Sequence, residues 1–195
     1  MGPAMSTVRI GNQSTLVVVD VQVGVMASSW DAQRVVNNVA RAVERAREAG
    51  VPVVWVQHES DELSRDSATW QLVPELVPAT GERRIFKRFP SSFEETSLEA
   101  DLEQLGATHL VLAGAQTNWC IRATAYAALE RGYDLTLLKD AHTTETIDLG
   151  NGSNVEASSI IADLNVAMKW LSYPGRTNGT ANAEEVDFAA DARAH

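Results

Sequence analysis

Cys120, the only cysteine of the chain, stands in the stretch Leu110 to Ala128, LVLAGAQTNWCIRATAYAA, where a strand gives way to a helix. Leu110 to Ala113 are apolar without alternation, the pattern of a strand buried on both faces of a parallel sheet. From Cys120 onward, Ala123, Ala127, Ala128 and Leu129 recur at helical spacing, so the chain turns across Gly114 to Trp119. A cysteine at a helix N-terminus meets free backbone N–H groups and the positive end of the helix dipole. Both favour a thiolate and can hold an oxyanion, which is how a nucleophile is mounted. A free cysteine is also among the most buried residue types and can simply fill space. The polar neighbours Gln116, Thr117 and Asn118 weigh against that, because a purely structural core turn does not need them.

Three further residues fall at predicted strand ends. Ser14 to Val21 reads STLVVVDV, a β-branched run that places Asp20 at the carboxyl end of the first strand, where open α/β sheets keep their ligand crevices. The alternative, a helix or turn cap, is weakened because Val21 to Val25 starts no helical pattern. Val51 to Gln57 (VPVVWVQ) is a second strand with His58 just past its end, either a crevice residue or a solvated loop histidine. Arg83 to Arg88 (RRIFKR) is a short third strand that ends near Lys87, which in isolation reads as a surface lysine offsetting the acidic loops. The loop after His58 carries Glu59, Asp61, Glu62 and Asp66 without a second histidine at metal-ligand spacing, so neither metal nor other cofactor is expected.

The elements that must position these residues alternate along the chain. Trp30 and Asp31 read as a rim aromatic and an N-cap before a helix over Ala32 to Ala49, apolar on one face and stopped at Gly50. Ser60 to Gly81, with Trp70, Pro74 and Pro78, is long and irregular, the kind of loop that shapes a pocket or an interface. A helix over Thr96 to Leu105 closes at Gly106, and Gly132 ends the helix after Cys120. Tyr133 to Leu138 is another strand, and the last helix, Ser153 to Leu171, offers Ile160, Ile161, Leu164, Val166 and Met168 to the core. This order predicts an α/β fold of three αβα layers, with a Rossmann-like, mostly parallel sheet of five to six strands and right-handed crossovers. With 195 residues and 45% hydrophobic content, the chain suits one domain over residues 1–195, with 1–13 as an N-terminal extension and 174–195 as a polar C-terminal tail. Met1 to Met5 are set aside from fold reasoning.

A formal charge of −10 and no Lys/Arg cluster argue against nucleic acid or an anionic membrane as partner. One cysteine excludes an intramolecular disulfide framework. No secretory signal and no membrane-length apolar run are visible, so a soluble, cytoplasmic protein is expected.

Taken together, VVVDVQ, FKRFPSSF, GAQTNWCIRAT and GYDLTLLKDAHTT resemble the isochorismatase-like cysteine hydrolase superfamily across about Thr15 to Leu171. The wording from Phe86 to Thr177-Asn178-Gly179 is most similar to its streptothricin hydrolase-like branch. The resemblance implies a catalytic triad of Asp20, Lys87 and Cys120. It also implies a cis peptide at Ala115–Gln116, an oxyanion hole from the backbone N–H groups of Gln116 and Cys120, and a homodimer or homotetramer. Two departures narrow it. Where nicotinamidases of this superfamily carry an Asp-x-His metal motif, this chain reads Gln57-His58-Glu59-Ser60, so no zinc or iron site is implied. The presence of Cys120 sets the chain apart from the branches that lack covalent chemistry. The expectation is a metal-independent cysteine hydrolase that cleaves an amide or lactam C–N bond of a small molecule through a thioester, with streptothricin-type lactam opening as one candidate. A nicotinamidase-like or other small-amide amidase is the alternative, and a thiol redox or non-catalytic binding protein the rival of another class. Gln22, Trp30, His58 and Trp119 are the expected substrate contacts. Trp30, Trp70, Trp119 and His58, with the acidic loop Glu59 to Asp66, suggest aromatic walls and a negative rim, suited to a neutral or cationic substrate; the aromatics could equally be core or interface residues.

Overall fold

β-branched runs with no polar alternation assemble here into a sheet buried on both faces. The structure, a computed structural model, describes Ser6 and residues 8–188. Six strands, β1 (Gln13–Val19), β2 (Val53–His58), β3 (Arg83–Lys87), β4 (Ala107–Ala115), β5 (Asp134–Thr143) and β8 (Asn178–Ala181), form one sheet in the order β3-β2-β1-β4-β5-β8. Every pairing in it is parallel. Successive residues of β1 face opposite layers. Leu16 and Val18 join α2 (Ala32–Glu48) through Val35, Val39 and Val43, together with Ala183, Val186 and Phe188 from the C-terminal segment. Val17 and Val19 join the opposite layer, built from Leu98 and Leu102 of α3 (Leu98–Gln104), Ala125 and Leu129 of α4 (Arg122–Glu130), and Leu164 and Met168 of α5 (Ala157–Trp170). Three αβα layers result.

Several expectations are corrected. Val23–Met26 does form one helical turn, α1, after Asp20. Asp31 lies in the left-handed region (φ 51°) and makes no side-chain cap bond, because its carboxylate faces Arg34. Residues expected to open the last helix instead form a small hairpin, β6 (Ile147–Asp148) with β7 (Asn154–Val155), and the helix begins at Ala157. Val166, expected in the core, is 57% exposed because it lies on the outer face of α5. The polar tail supplies the edge strand β8, which pairs with β5 through Leu135↔Asn178 to Leu138↔Ala181. The N-terminal extension is also engaged: Ser6 donates its backbone N–H to Asp134 Oδ2 at 2.5 Å, and the Arg9 guanidinium lies 4.1 Å over the Tyr133 ring. Met1 to Met5 and the tail beyond 188 lie outside the described residues.

β5 is longer than its apolar run. Its register with β4 jumps from Leu112↔Leu137 to Gly114↔His142, so residues 138–141 bulge from β4, and His142 and Thr143 pair again with its tip. At that tip a Cβ on Gly114 (φ 126°) would lie 1.9 Å from the Val19 carbonyl oxygen. Only glycine lets β4 come this close to β1 where both strands end, and this closeness brings the sheet's carboxyl edge together.

Candidate active site

The register places Asp20, His58 and Lys87 on neighbouring strand tips, since Val19 pairs with Val56 and His58 pairs with Lys87. Asp20 turns off β1 in the left-handed region (φ 53°), a conformation that aspartate tolerates better than most residues. Opposite these tips, the peptide bond Ala115–Gln116 is cis, and Thr117–Ile121 forms a π-helical turn before α4 begins at Arg122. Cys120 therefore sits inside that turn rather than at the first residue of the regular helix. π-turns of this kind concentrate at functional sites.

The structure brings Asp20, Lys87 and Cys120 into contact. The buried Lys87 ammonium donates to Asp20 Oδ2 at 2.7 Å and to Cys120 Sγ at 3.1 Å. It also lies 3.1 Å from His58 Nδ1 and 3.2 Å from the Phe89 carbonyl oxygen. Three N–H donors thus face four acceptors. Burial works against the lysine's charge, but the Asp20 carboxylate and the Cys120 sulfur prevail and hold its pKa above the ordinary lysine value. For Cys120, burial and the adjacent Asp20 charge outweigh Lys87 and push the thiol up to about 12. The resting pattern is an Asp20–Lys87 ion pair beside a protonated thiol, not the thiolate expected from the helix terminus alone. Asp20 Oδ1 is buried and accepts no hydrogen bond among the described residues, which leaves that oxygen a free lone pair. His58 is held below its ordinary pKa by burial and then by Lys87, so its Nδ1 offers a lone pair to the ammonium.

A cleft of about 490 Å³ opens over this cluster. Asp20, His58, Gln116, Trp119 and Cys120 line it, with Glu62 and Glu145. Two expected substrate contacts are not brought to it. Gln22 is fully buried, with its amide donating to the His58 and Trp70 carbonyls and accepting from the His58 N–H, so it braces the β2 tip. Trp30 is 44% exposed away from the cleft, under the Arg34 guanidinium. Trp70 likewise packs in the interior, 5.5 Å from the Phe86 ring. Glu145, Ser28 and Thr69 line the cleft without having been singled out. For Glu145 the available signal was an acid directly after the His142-Thr143-Thr144 run at a strand end.

Asp20, His58 and Cys120 offer ligand atoms within 4.8 Å of one another, but the Lys87 ammonium hydrogen-bonds to groups on all three residues and already supplies their cation. At the nicotinamidase-type position, Gln57 donates to the Trp70 carbonyl and accepts from Arg84 at 2.6 Å. Neither donor set fits a divalent metal.

The family model for the isochorismatase domain matches residues 14–158. Streptothricin hydrolase from Streptomyces noursei is 35% identical over 144 residues, covering 70% of this chain and 57% of that protein, so the chain spans less than two thirds of that relative's length. A secreted isochorismatase effector from Verticillium dahliae is 32% identical over 138 residues, covering 66% and 71%. Among solved structures, an isochorismatase from Pseudomonas putida KT2440 superposes with a TM-score of 0.80 at 25% identity, covering 90% of this chain and 91% of that one. Among the described residues no helix is long and apolar enough to cross a membrane.

Proposed function

The chain belongs to the isochorismatase family, and we propose that within it the protein is a metal-independent cysteine amidohydrolase, with Cys120 as nucleophile, Asp20 as proton carrier and Lys87 as fixed cation. One observation carries the reading: a buried ammonium touches both the carboxylate (2.7 Å) and the sulfur (3.1 Å), and these two partners line a cleft. Because the resting thiol is protonated, attack on the amide carbonyl is coupled to passage of the S–H proton to Asp20. Lys87 remains charged and offsets the negative charge as it moves between the two partners. The tetrahedral oxyanion is met by the backbone N–H groups of Gln116 and Cys120. Asp20 returns the proton to the leaving amine, leaving a Cys120 thioester. Water then attacks the thioester carbonyl and passes a proton to Asp20; as the C–S bond breaks, Asp20 returns that proton to the sulfur, which releases the acid and restores the thiol.

The likeness to streptothricin hydrolase supports a lactam as one substrate candidate, and other small amides remain the alternative. Glu62 and Glu145 at the cleft favour a neutral or cationic substrate over an anion. A redox role is disfavoured, because a thiol pushed up to about 12 is a poor source of thiolate. A cytoplasmic setting suits a protein that depends on one reduced cysteine, and a homodimer or homotetramer follows from the resemblance. The test is a panel of primary amides, ureas and lactams with intact-mass detection of an acyl adduct. An adduct confined to Cys120 and absent in Cys120→Ala supports the reading. Amide turnover that persists in Cys120→Ala would sink it.

A further inference from the structure

The imidazole of His142 takes no part in the chemistry above, although it is 1% exposed and one of its two hydrogen bonds runs to the turn that carries the nucleophile. The bulge in β5 sets His142 beside Gly114, where its Nδ1 lies 2.9 Å from Thr117 Oγ1 and its Nε2 lies 3.0 Å from Asn165 Oδ1. Asn165 Nδ2 in turn donates to the Lys139 carbonyl oxygen at 3.3 Å. With a neutral ring, these contacts have only one consistent direction. The Lys139 carbonyl can only accept, so Asn165 must present its NH₂ there and its oxygen to His142. Nε2 therefore carries the proton, Nδ1 is a lone pair, and the Thr117 hydroxyl donates to it. Burial keeps the ring neutral, holding its pKa at about 4 against the opposing pull of Asn165 and Asp140. Just past the end of β5, Thr144 Oγ1 donates to Asn118 Oδ1 at 2.6 Å, so consecutive residues of the nucleophile turn are tied to the same strand end.

We propose that His142, as the neutral Nε2–H tautomer, is a positioning residue for Cys120: it fixes Thr117, the first residue of the π-helical turn, and thereby the placement of the sulfur against Lys87 and Asp20. The proposal rests on the reading of Cys120 as the nucleophile. It assigns to β5 the task of aiming that turn, while β1 and β3 supply its charges.

The test uses the full chain and two readouts that do not require amide turnover. The first is ¹⁵N-histidine NMR at neutral pH, with the His142 signals assigned by their loss in His142→Asn. The expected signature is a protonated Nε2 and a bare Nδ1; an Nδ1–H tautomer or an imidazolium overturns the proposal. The second is the rate and pH profile of Cys120 alkylation by iodoacetamide. His142→Asn places an amide oxygen where Nδ1 was, and Thr117→Ser keeps the hydroxyl, so both stay within about twofold of the parent. His142→Gln and Thr117→Val remove the bond and slow alkylation by about tenfold, with a shifted pH profile. Equal losses across each pair, tracking thermal stability alone, mean a purely structural histidine and overturn the proposal. If the His142 variants do not fold, the Thr117 pair and the parent's NMR signature decide it. If the ordering holds while no amide is cleaved by the parent, the hydrolase reading fails and the positioning role stands.

Discussion

Two histidines flank Cys120 in unlike surroundings. His58, on the β2 tip, is partly exposed to the cleft and stands among ionised groups, with the Lys87 ammonium against its Nδ1 and Asp20 close by. His142, on β5, is sealed among neutral partners, Thr117 and Asn165. One side of Cys120 holds charge and can redistribute it, whereas the other is a directional chain of neutral hydrogen bonds that can only hold position. The lesson is a division of labour across one sheet edge. Substitutions on the β1–β3 side should change protonation and chemistry first, and those on the β5 side should change placement first.

The sharpest break in that comparison is at the sulfur itself. Cys120→Ala is expected to abolish turnover, a loss on the order of 10⁴-fold or more, with circular dichroism and thermal midpoint close to the parent. Cys120→Ser is expected to fail as well, because a serine hydroxyl is far less acidic than the thiol and Asp20 cannot activate it. Substantial activity in either would show that the charged side does not act through Cys120.

Lys87→Met comes next and should damage both chemistry and fold. Removing the cation leaves the Asp20 carboxylate buried beside the thiol with no counter-charge, a situation that costs about 3–5 kcal/mol. Denaturant titration should show that loss, and turnover should fall by on the order of 10³-fold. Lys87→Arg should not rescue, because the planar guanidinium cannot reproduce the contacts of the compact ammonium with Asp20, His58, Cys120 and Phe89.

The two sides also predict opposite limbs of stability against pH. On the charged side, the Cys120 thiol ordinarily ionises near 9.0 but near about 12 when folded. Above pH 9 the unfolded chain therefore binds fewer protons than the native one, and stability falls as pH rises. Lys87, raised above its ordinary 10.5, acts in the same direction at still higher pH. On the neutral side, His142 ordinarily protonates near 6.5 but near about 4 when buried. Between those values the unfolded chain binds more protons, and stability falls as pH falls, by up to about 3 kcal/mol for this one group. His58, also lowered but less buried, adds to the same limb. Denaturant midpoints across pH check this directly. Cys120→Ala should make the alkaline limb shallower, leaving the part due to Lys87 and to Tyr133, whose hydroxyl burial pushes up to about 12, and His142→Asn should make the acid limb shallower, leaving the part due to His58. Loss of both limbs in one variant would mean that the two sides are not separable.

Much of the charged side was legible in the sequence, and the neutral side was not. Asp20 closes an apolar β-branched run and Lys87 closes the short strand Arg83–Lys87, and neighbouring parallel strands bring their carboxyl ends to one edge of the sheet. Their meeting with Cys120 could thus be anticipated from strand ends and a resemblance. The π-helical turn could not be read, because the Thr117–Ile121 backbone bonds depend on how β4 leaves the sheet rather than on residue propensity. The β5 bulge was hidden for a similar reason. The apolar run stops at Leu138, and nothing local shows that His142 and Thr143 pair again with β4 at Gly114 and Ala115. Gln22 and Trp30 were misplaced because sequence proximity to Asp20 does not specify side-chain direction: Gln22 turns inward to bind backbone, and Trp30 turns outward beneath Arg34.

The smallest expected effect lies at the cleft mouth, where the comparison extends from the protein to its substrate. Glu62, from the loop after β2, and Glu145, directly after β5, line the cleft from the charged and the neutral side respectively, and no cation pairs with either among the described residues. Solvent screens both, so each is worth a fraction of a kcal/mol toward a positively charged substrate. Glu62→Gln and Glu145→Gln should each lower kcat/KM for a cationic amide by about threefold at low ionic strength and leave a neutral amide of the same shape unchanged. Added salt should erase the difference. If only Glu62→Gln discriminates, substrate charge is read solely from the β1–β3 side. If both do, the strand that aims the nucleophile also helps select what the nucleophile meets, and the division across the sheet edge applies to the chemistry but not to recognition.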